Sequence, residues 1–157
     1  MHHLGMNDDD RAAQPLRTQV HLAKAVAENL GPGDLAAELA ESRGVGAGSG
    51  TDGAGERLLL IDVREPDEAV NGVIAGAVVI PRGTIEFAIG LAADRRVVVY
   101  CATGERSALV VRTLYGMGHH DVAHLDGGVA AWLDDGRPLV PWAVHERSAL
   151  RRSEHGG

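Results

Sequence analysis

A single cysteine, Cys101, occurs in the 157 residues, so no disulfide can form within the chain. That usage suits a reducing compartment, and a cytoplasmic location is the expectation. Aromatic residues make up only 3% of the chain. The core must therefore be built from Ala, Val, Leu and Ile, and a surface that stacks bases on rings is not expected. No run of 18 apolar residues exists, so no transmembrane helix is expected. The opening residues, Met1 to Met6, offer neither a basic nor an apolar stretch of the kind a secretory signal needs. Basic residues are in deficit, 15 against 22 acidic ones, for a net charge of −7. Such a chain does not attract phosphate backbones as a whole, so neither a nucleic acid nor a membrane is expected as partner. What is present is ordinary for a globular protein: 45% hydrophobic and 24% charged residues, over a length that suits one domain with short appendages.

Pro15 is placed to open a helix that stops at Gly31-Pro32-Gly33, with Leu16, Val20, Ala23, Ala27 and Leu30 on one face. Residues 1–33 read as an N-terminal extension carrying this amphipathic helix. Asp34 offers an N-cap for a second helix through Ser42. Residues 44–55, GVGAGSGTDGAG, form a glycine-rich segment that reads as a flexible loop. It lacks the Lys-Ser/Thr ending of a phosphate-cradling loop, and no strand precedes it.

Strand and helix patterns then alternate. Leu58–Val63 is a continuous apolar run, and Pro66-Asp67-Glu68 suits the first turn of a helix. Ala77–Ile80 is a second run, stopped by Pro81, and a short helix is expected from Thr84 to Leu91. Arg96–Cys101, rich in β-branched residues, is the clearest buried strand. A helix from Ser107 to Tyr115, a strand from Asp121 to Leu125 and a short helix from Val129 to Leu133 follow. Apolar strands separated by helices predict an α/β fold, with a mostly parallel sheet covered on both faces. Residues 34–140 are assigned to this domain, and residues 141–157 read as a polar tail.

Cys101 falls at the carboxyl end of the best strand, where ligands collect in open α/β sheets. Cys101-Ala102-Thr103-Gly104-Glu105-Arg106-Ser107 then runs straight into a helix. A short loop of this kind can turn several backbone N–H groups inward, and the helix N-terminus adds its own. Gly104 permits a backbone angle that a side chain would resist, and Arg106 adds a fixed cation. Together these favour thiolate over thiol at Cys101. An inert core cysteine needs none of them.

From Leu58 to Leu139 the sequence resembles a rhodanese domain, the sulfurtransferase fold. The matching pieces are Ile61-Asp62-Val63-Arg64-Glu65, Gly76-Ala77, Ile80-Pro81-Arg82-Gly83, the loop CATGERS, and Leu125-Asp126-Gly127-Gly128 followed by Trp132. The resemblance implies a five-stranded, mostly parallel sheet with helices on both faces. The fifth strand lacks a clear sequence signal and is expected near the N-terminal helices. The resemblance also implies that Cys101 takes a sulfane sulfur from a small-molecule or protein donor and holds it as a persulfide. The loop amides from Ala102 to Ser107 would cradle the outer sulfur, and Arg106 would orient the loop or an anionic donor. With no second cysteine, the acceptor thiol must come from another molecule. Six residues from Cys101 to Arg106 match sulfurtransferases; the related cysteine-dependent phosphatases have one more. The alternative is a binding or regulatory module on the same fold, without turnover.

Two departures from the family pattern concern the turn before a strand. Val73 stands where the family usually has His, and Ala75 where it usually has Pro. Glu105 is a third; at the loop mouth it would oppose a doubly charged donor such as thiosulfate. Asp62 and Arg64 are expected to support the site by fixing strand-end turns through hydrogen bonds. His119, His120 and His124 do not form a ligand set, since adjacent residues in a turn point apart, and neither a metal nor a cofactor is expected. Gly127 and Gly128 suit a tight strand-to-helix turn.

Overall fold

The computed structural model describes residues 8–46, 58–88 and 94–142. Five strands form one sheet in the order β1-β5-β4-β2-β3: β1 Glu28–Leu30, β2 Leu58–Asp62, β3 Val78–Val79, β4 Arg96–Tyr100 and β5 Val122–Leu125. Every pairing is parallel. The helices are α1 Asp8–Val26, α2 Pro32–Gly46, α3 Pro66–Ala69, α4 Glu105–Gly116 and α5 Gly128–Asp134, with a 3₁₀ helix at Arg82–Ala88.

The period-two alternation of the strands divides the core in two. Leu59, Ile61, Val97, Val99 and Val122 meet Val110, Val111 and Leu114 of α4 on one face. Leu60, Val98, Tyr100, Ala123 and Leu125 meet Leu35 of α2 and Trp132 of α5 on the other. β4 lies in the middle, and Val97, Val98, Val99 and Tyr100 are fully buried. Both termini of the strand are anchored. At its start Arg96 bonds Glu28, Glu38 and Asp121, which joins β1, α2 and β5. At its end the chain enters the cysteine loop.

The structure revises several boundaries. The first helix starts at Asp8, with Pro15 inside it, and ends at Val26. In the sequence, Asp8, Asp9 and Asp10 are residue types that suit a helix first turn, a signal that lies upstream of Pro15. Leu30 lies not on that helix but in β1, the unplaced fifth strand, so the sheet begins at Glu28, before residue 34. α1 lies along α4, where Arg112 hydrogen-bonds Gln19. α2 continues to Gly46, past the predicted stop at Ser42, and residues 47–55 of the glycine-rich segment lie outside the described residues. The predicted Thr84–Leu91 helix is instead the 3₁₀ helix, and residues 89–91 lie outside the described residues. Trp142 is buried in the α2 and α5 core, so the folded chain continues past residue 140; residues 143–157 of the expected tail lie outside the described residues. No described helix is long and apolar enough to cross a membrane.

Candidate active site

Cys101 follows the last residue of β4 and faces the α4 side of the sheet, 1% exposed. Its Sγ accepts a hydrogen bond from the Gly104 N–H at 3.1 Å and another from the Ser107 N–H at 3.4 Å. The Ser107 hydroxyl lies 3.5 Å from Sγ. These donors come from the N-terminus of α4, where amide hydrogens have no helical partner and the dipole favours an anion. A sulfur that carries negative charge is therefore met by oriented donors before any ligand arrives.

The loop holds this shape because two glycine positions demand glycine. Gly104 caps α4 at φ 101°, and a Cβ there would sit 2.9 Å from the Gly127 backbone nitrogen. Gly128, at φ 59°, brings α5 so close that a Cβ would meet the Cys101 carbonyl oxygen at 2.4 Å. In return, the Val129 N–H donates to the Cys101 carbonyl and the Ala130 N–H to the Ala102 carbonyl. The N-termini of α4 and α5 thus grip the loop from two sides.

The hydrogen bonds of Arg106 go to Glu68. Its two terminal nitrogens form a fork on the Glu68 carboxylate at 2.7 and 2.8 Å, which ties α4 to α3. The guanidinium holds the Glu68 carboxyl down at about 2, mainly through these hydrogen bonds. Arg106 therefore fixes the loop's position, and most of its charge is answered by Glu68. Asp62 and Arg64 lie on the opposite sheet face. Arg64 donates from Nε and a terminal nitrogen to the fully buried Asp62 carboxylate, and also to the Gly72 carbonyl at 2.7 Å. Its guanidinium stacks over Tyr100, whose hydroxyl accepts from the Ile74 N–H. These two residues brace the turns at the ends of β2 and before β3; they do not reach Cys101.

Ala102 and Thr103 line the outer turn, Thr103 exposed and Ala102 half-buried. Beside the loop, a cavity of about 560 Å³ opens between α1 and α4. Arg17, His21, Lys24, Arg82 and Arg106 line it together with Glu105. Glu105 thus shares its surroundings with more cations than carboxylates, although the chain as a whole is acidic.

A rhodanese-like domain model matches residues 50–135. The chain belongs to that family. The rhodanese-like domain is 37% identical over 86 residues to a sulfurtransferase of Allochromatium vinosum, covering 54% of this chain and 80% of that one. It is 42% identical over 88 residues to the Mycobacterium tuberculosis protein named "Probable adenylyltransferase/sulfurtransferase MoeZ", covering 54% of this chain but 22% of that one. The chain thus spans about a fifth of the length of these mycobacterial relatives. Among solved structures it resembles the polysulfide-sulfur transferase homodimer of Wolinella succinogenes, with 27% identity, a TM-score of 0.65, and coverage of 89% and 97% of the two chains.

In this rhodanese-like domain the departures at Val73 and Ala75 leave the turn well tied. Val73 exchanges two backbone hydrogen bonds with Val140, each 2.8 Å. Two contacts escaped the sequence reading. Glu68 was visible only as a helix-start carboxylate, 38 residues from its partner Arg106. His124, which the sequence shows only as one of three histidines without a ligand pattern, has a fully buried ring with Nδ1 3.1 Å from the Ser107 hydroxyl. His119 meets the Arg95 carbonyl and His120 stacks on Tyr115, so the three rings are scattered. The signal for His124 was a polar residue at an inward position of an apolar strand.

Proposed function

We propose that this rhodanese-like domain is a sulfurtransferase that carries a sulfane sulfur as a persulfide on Cys101. The observation that supports it most is the pair of amide donors from Gly104 and Ser107 on a buried Sγ at a helix N-terminus. A thiolate there attacks the outer sulfur of the donor, and the donor's S–S bond breaks with its electron pair leaving on the departing group. The loop amides from Ala102 to Ser107 then surround the transferred sulfur. A thiol or cyanide acceptor removes it. The acceptor thiol is external, because Cys101 is the chain's single cysteine. The donor is a small molecule or a protein-borne persulfide, and the basic lining of the neighbouring cavity favours an anionic one.

The loop length supports sulfur rather than phosphoryl transfer. Six residues from Cys101 to Arg106 are one fewer than in the related phosphatases and fit one added atom, and both terminal nitrogens of Arg106 already bond Glu68. Thiocyanate formation from thiosulfate and cyanide tests the reading. The wild type should turn over and Cys101→Ser should not. A folded wild type that binds donor without any turnover would instead mark a binding module.

A further inference from the structure

The Cys101 loop is continuous with a chain of polar groups that leads away from the mouth, buried through Ser107 and His124 and ending at the exposed Asn29. Sγ of Cys101 lies 3.5 Å from Oγ of Ser107, Oγ lies 3.1 Å from Nδ1 of His124, and Nε2 of His124 lies 2.6 Å from Oδ1 of Asn29. The residue after β4 supplies the sulfur, and α4, β5 and β1 supply one member each. Sheet pairing sets the geometry, since Asn29 and His124 are register partners across β1 and β5.

The hydrogen positions follow from the partners. The Asn29 amide nitrogen donates to the carbonyls of Lys24 and Ala27, which turns Oδ1 toward the histidine. An amide oxygen only accepts, so His124 carries its hydrogen on Nε2. In the neutral ring Nδ1 is then a bare acceptor. While Cys101 is a thiol that donates, Ser107 has one hydroxyl hydrogen and two acceptors in reach, Nδ1 and the Gly104 carbonyl at 3.2 Å. The Gly104 carbonyl already accepts from the Ala108 N–H. Among the described residues Nδ1 has no other donor, and a buried acceptor without one is costly. The hydroxyl therefore points to His124 and turns a lone pair toward Sγ.

We propose that Cys101 and His124 share one proton through the Ser107 hydroxyl. In one arrangement the thiol donates to Ser107 and Ser107 donates to a neutral His124. In the other, the thiol proton has passed to Oγ while the hydroxyl's own proton has passed to Nδ1. That leaves a thiolate receiving the hydroxyl hydrogen and an imidazolium bonded at both nitrogens. The two arrangements hold the same number of protons and differ by two short transfers. During loading, Sγ attacks with its proton parked on His124. During discharge, the acceptor thiolate bonds to the outer sulfur, the Sγ–S bond breaks, and its electron pair stays on Sγ. Sγ then recovers a proton from Ser107, which is refilled from Nδ1. His124 is a positioning residue that acts through Ser107 and never meets the substrate.

The charged surroundings permit both arrangements. Burial pushes the His124 ring down from its ordinary value, which keeps Nδ1 free in the resting protein. Asp126, just past β5, and Lys24, on α1, act on it in opposite senses and pair with each other at 3.8 Å. β1 and α4 present Asn29 and Ser107, neither of which ionises, and β4 leads into Cys101.

The proposal deepens the persulfide reading, and its test uses alkylation, which needs no sulfur transfer, so either idea can fail alone. The rate of Cys101 alkylation by iodoacetamide is followed against pH in the full chain. Ser107→Ala and His124→Gln should each move the profile to higher pH by about one unit, about tenfold slower alkylation on its rising limb. The double variant should move it no further than either single one. In the wild type, nitrogen NMR of the His124 ring should show a titration that vanishes in Cys101→Ala, a variant that leaves the ring's other partners in place. Profiles that superimpose in all variants, with only thermal stability changed, would overturn the proposal. So would a His124 titration that is the same with and without the Cys101 sulfur.

Discussion

Gly128→Ala asks whether the grip of α5 on the cysteine loop matters. Gly128 adopts φ 59°, where an L-residue costs about 1 kcal/mol or somewhat more. The larger effect is steric. The added methyl would stand 2.4 Å from the Cys101 carbonyl oxygen and 2.7 Å from both the carbonyl carbon and oxygen of Ala102. All three are backbone atoms, so no side chain can swing aside. Relief needs a separation of roughly 1 Å between α5 and the loop, which strains or breaks the bonds from Val129 to Cys101 and from Ala130 to Ala102, now 2.9 and 3.0 Å. At about 1 kcal/mol each, they bring the expected loss to about 3–4 kcal/mol. Gly76→Ala supplies the control. Gly76 also has a positive φ, 89°, but a Cβ there meets nothing within 4 Å, so only the conformational cost of about 1 kcal/mol remains. Urea unfolding at unchanged m value separates the two, and thiocyanate formation by the folded fraction should fall in Gly128→Ala alone. Equal destabilisation by both substitutions, or full activity in folded Gly128→Ala, would show that the close approach of α5 does not hold the loop.

Tyr100→Phe leaves the buried Ile74 N–H without its hydroxyl partner and should cost about 1–3 kcal/mol in denaturant unfolding, with persulfide formation unchanged. Asp62→Ala strands the Arg64 guanidinium, 5% exposed, and should cost about 3 kcal/mol or more in denaturant unfolding; Arg64→Lys, which keeps the charge but loses the fork, should also destabilise. Glu68 is held below its ordinary value by Arg106, so the pair stabilises the fold above about pH 4.5 and that contribution is lost as pH falls toward 2. Both side chains are about one-third exposed, so solvent screening limits this to about 1 kcal/mol, and Glu68→Gln should flatten the acid limb of a stability–pH curve by that amount. In the basic cavity, Arg82→Ala should lower kcat/KM for thiosulfate several-fold at low salt, more than Glu105→Gln raises it; equal and opposite effects would restore Glu105 as the controlling charge.

Local signals made the centre of the fold readable. Val97, Val98 and Val99 mark a strand buried on both faces, and Cys101 followed by Gly104 marks a strand end that turns into a helix. Gly127-Gly128 announced a tight turn, but not that the turn presses on the Cys101 carbonyl, because that contact spans 27 residues. β1 was obscure for a physical reason. It has three residues, two of them exposed, so no hydrophobic period can develop. Its place comes from pairing with β5 and from Arg96, which reaches Glu28 across 68 residues. The Arg106–Glu68 fork and the His124–Asn29 contact were hidden in the same way: charge and polarity are visible along a chain, but partners are chosen in space. Along the sequence Glu105 stands as a lone carboxylate at a helix start, and only the fold brings Arg17 and Arg82 into the same cavity.

If Cys101 carries the transferred sulfur, intact mass spectrometry of the full chain will detect it there. After incubation with thiosulfate and removal of excess donor, the protein should gain the mass of one sulfur atom, located by peptide mapping on Cys101. Cyanide should remove it as thiocyanate, and Cys101→Ser should gain nothing. An unchanged mass in folded wild type, offered both thiosulfate and a persulfide donor, would contradict the account.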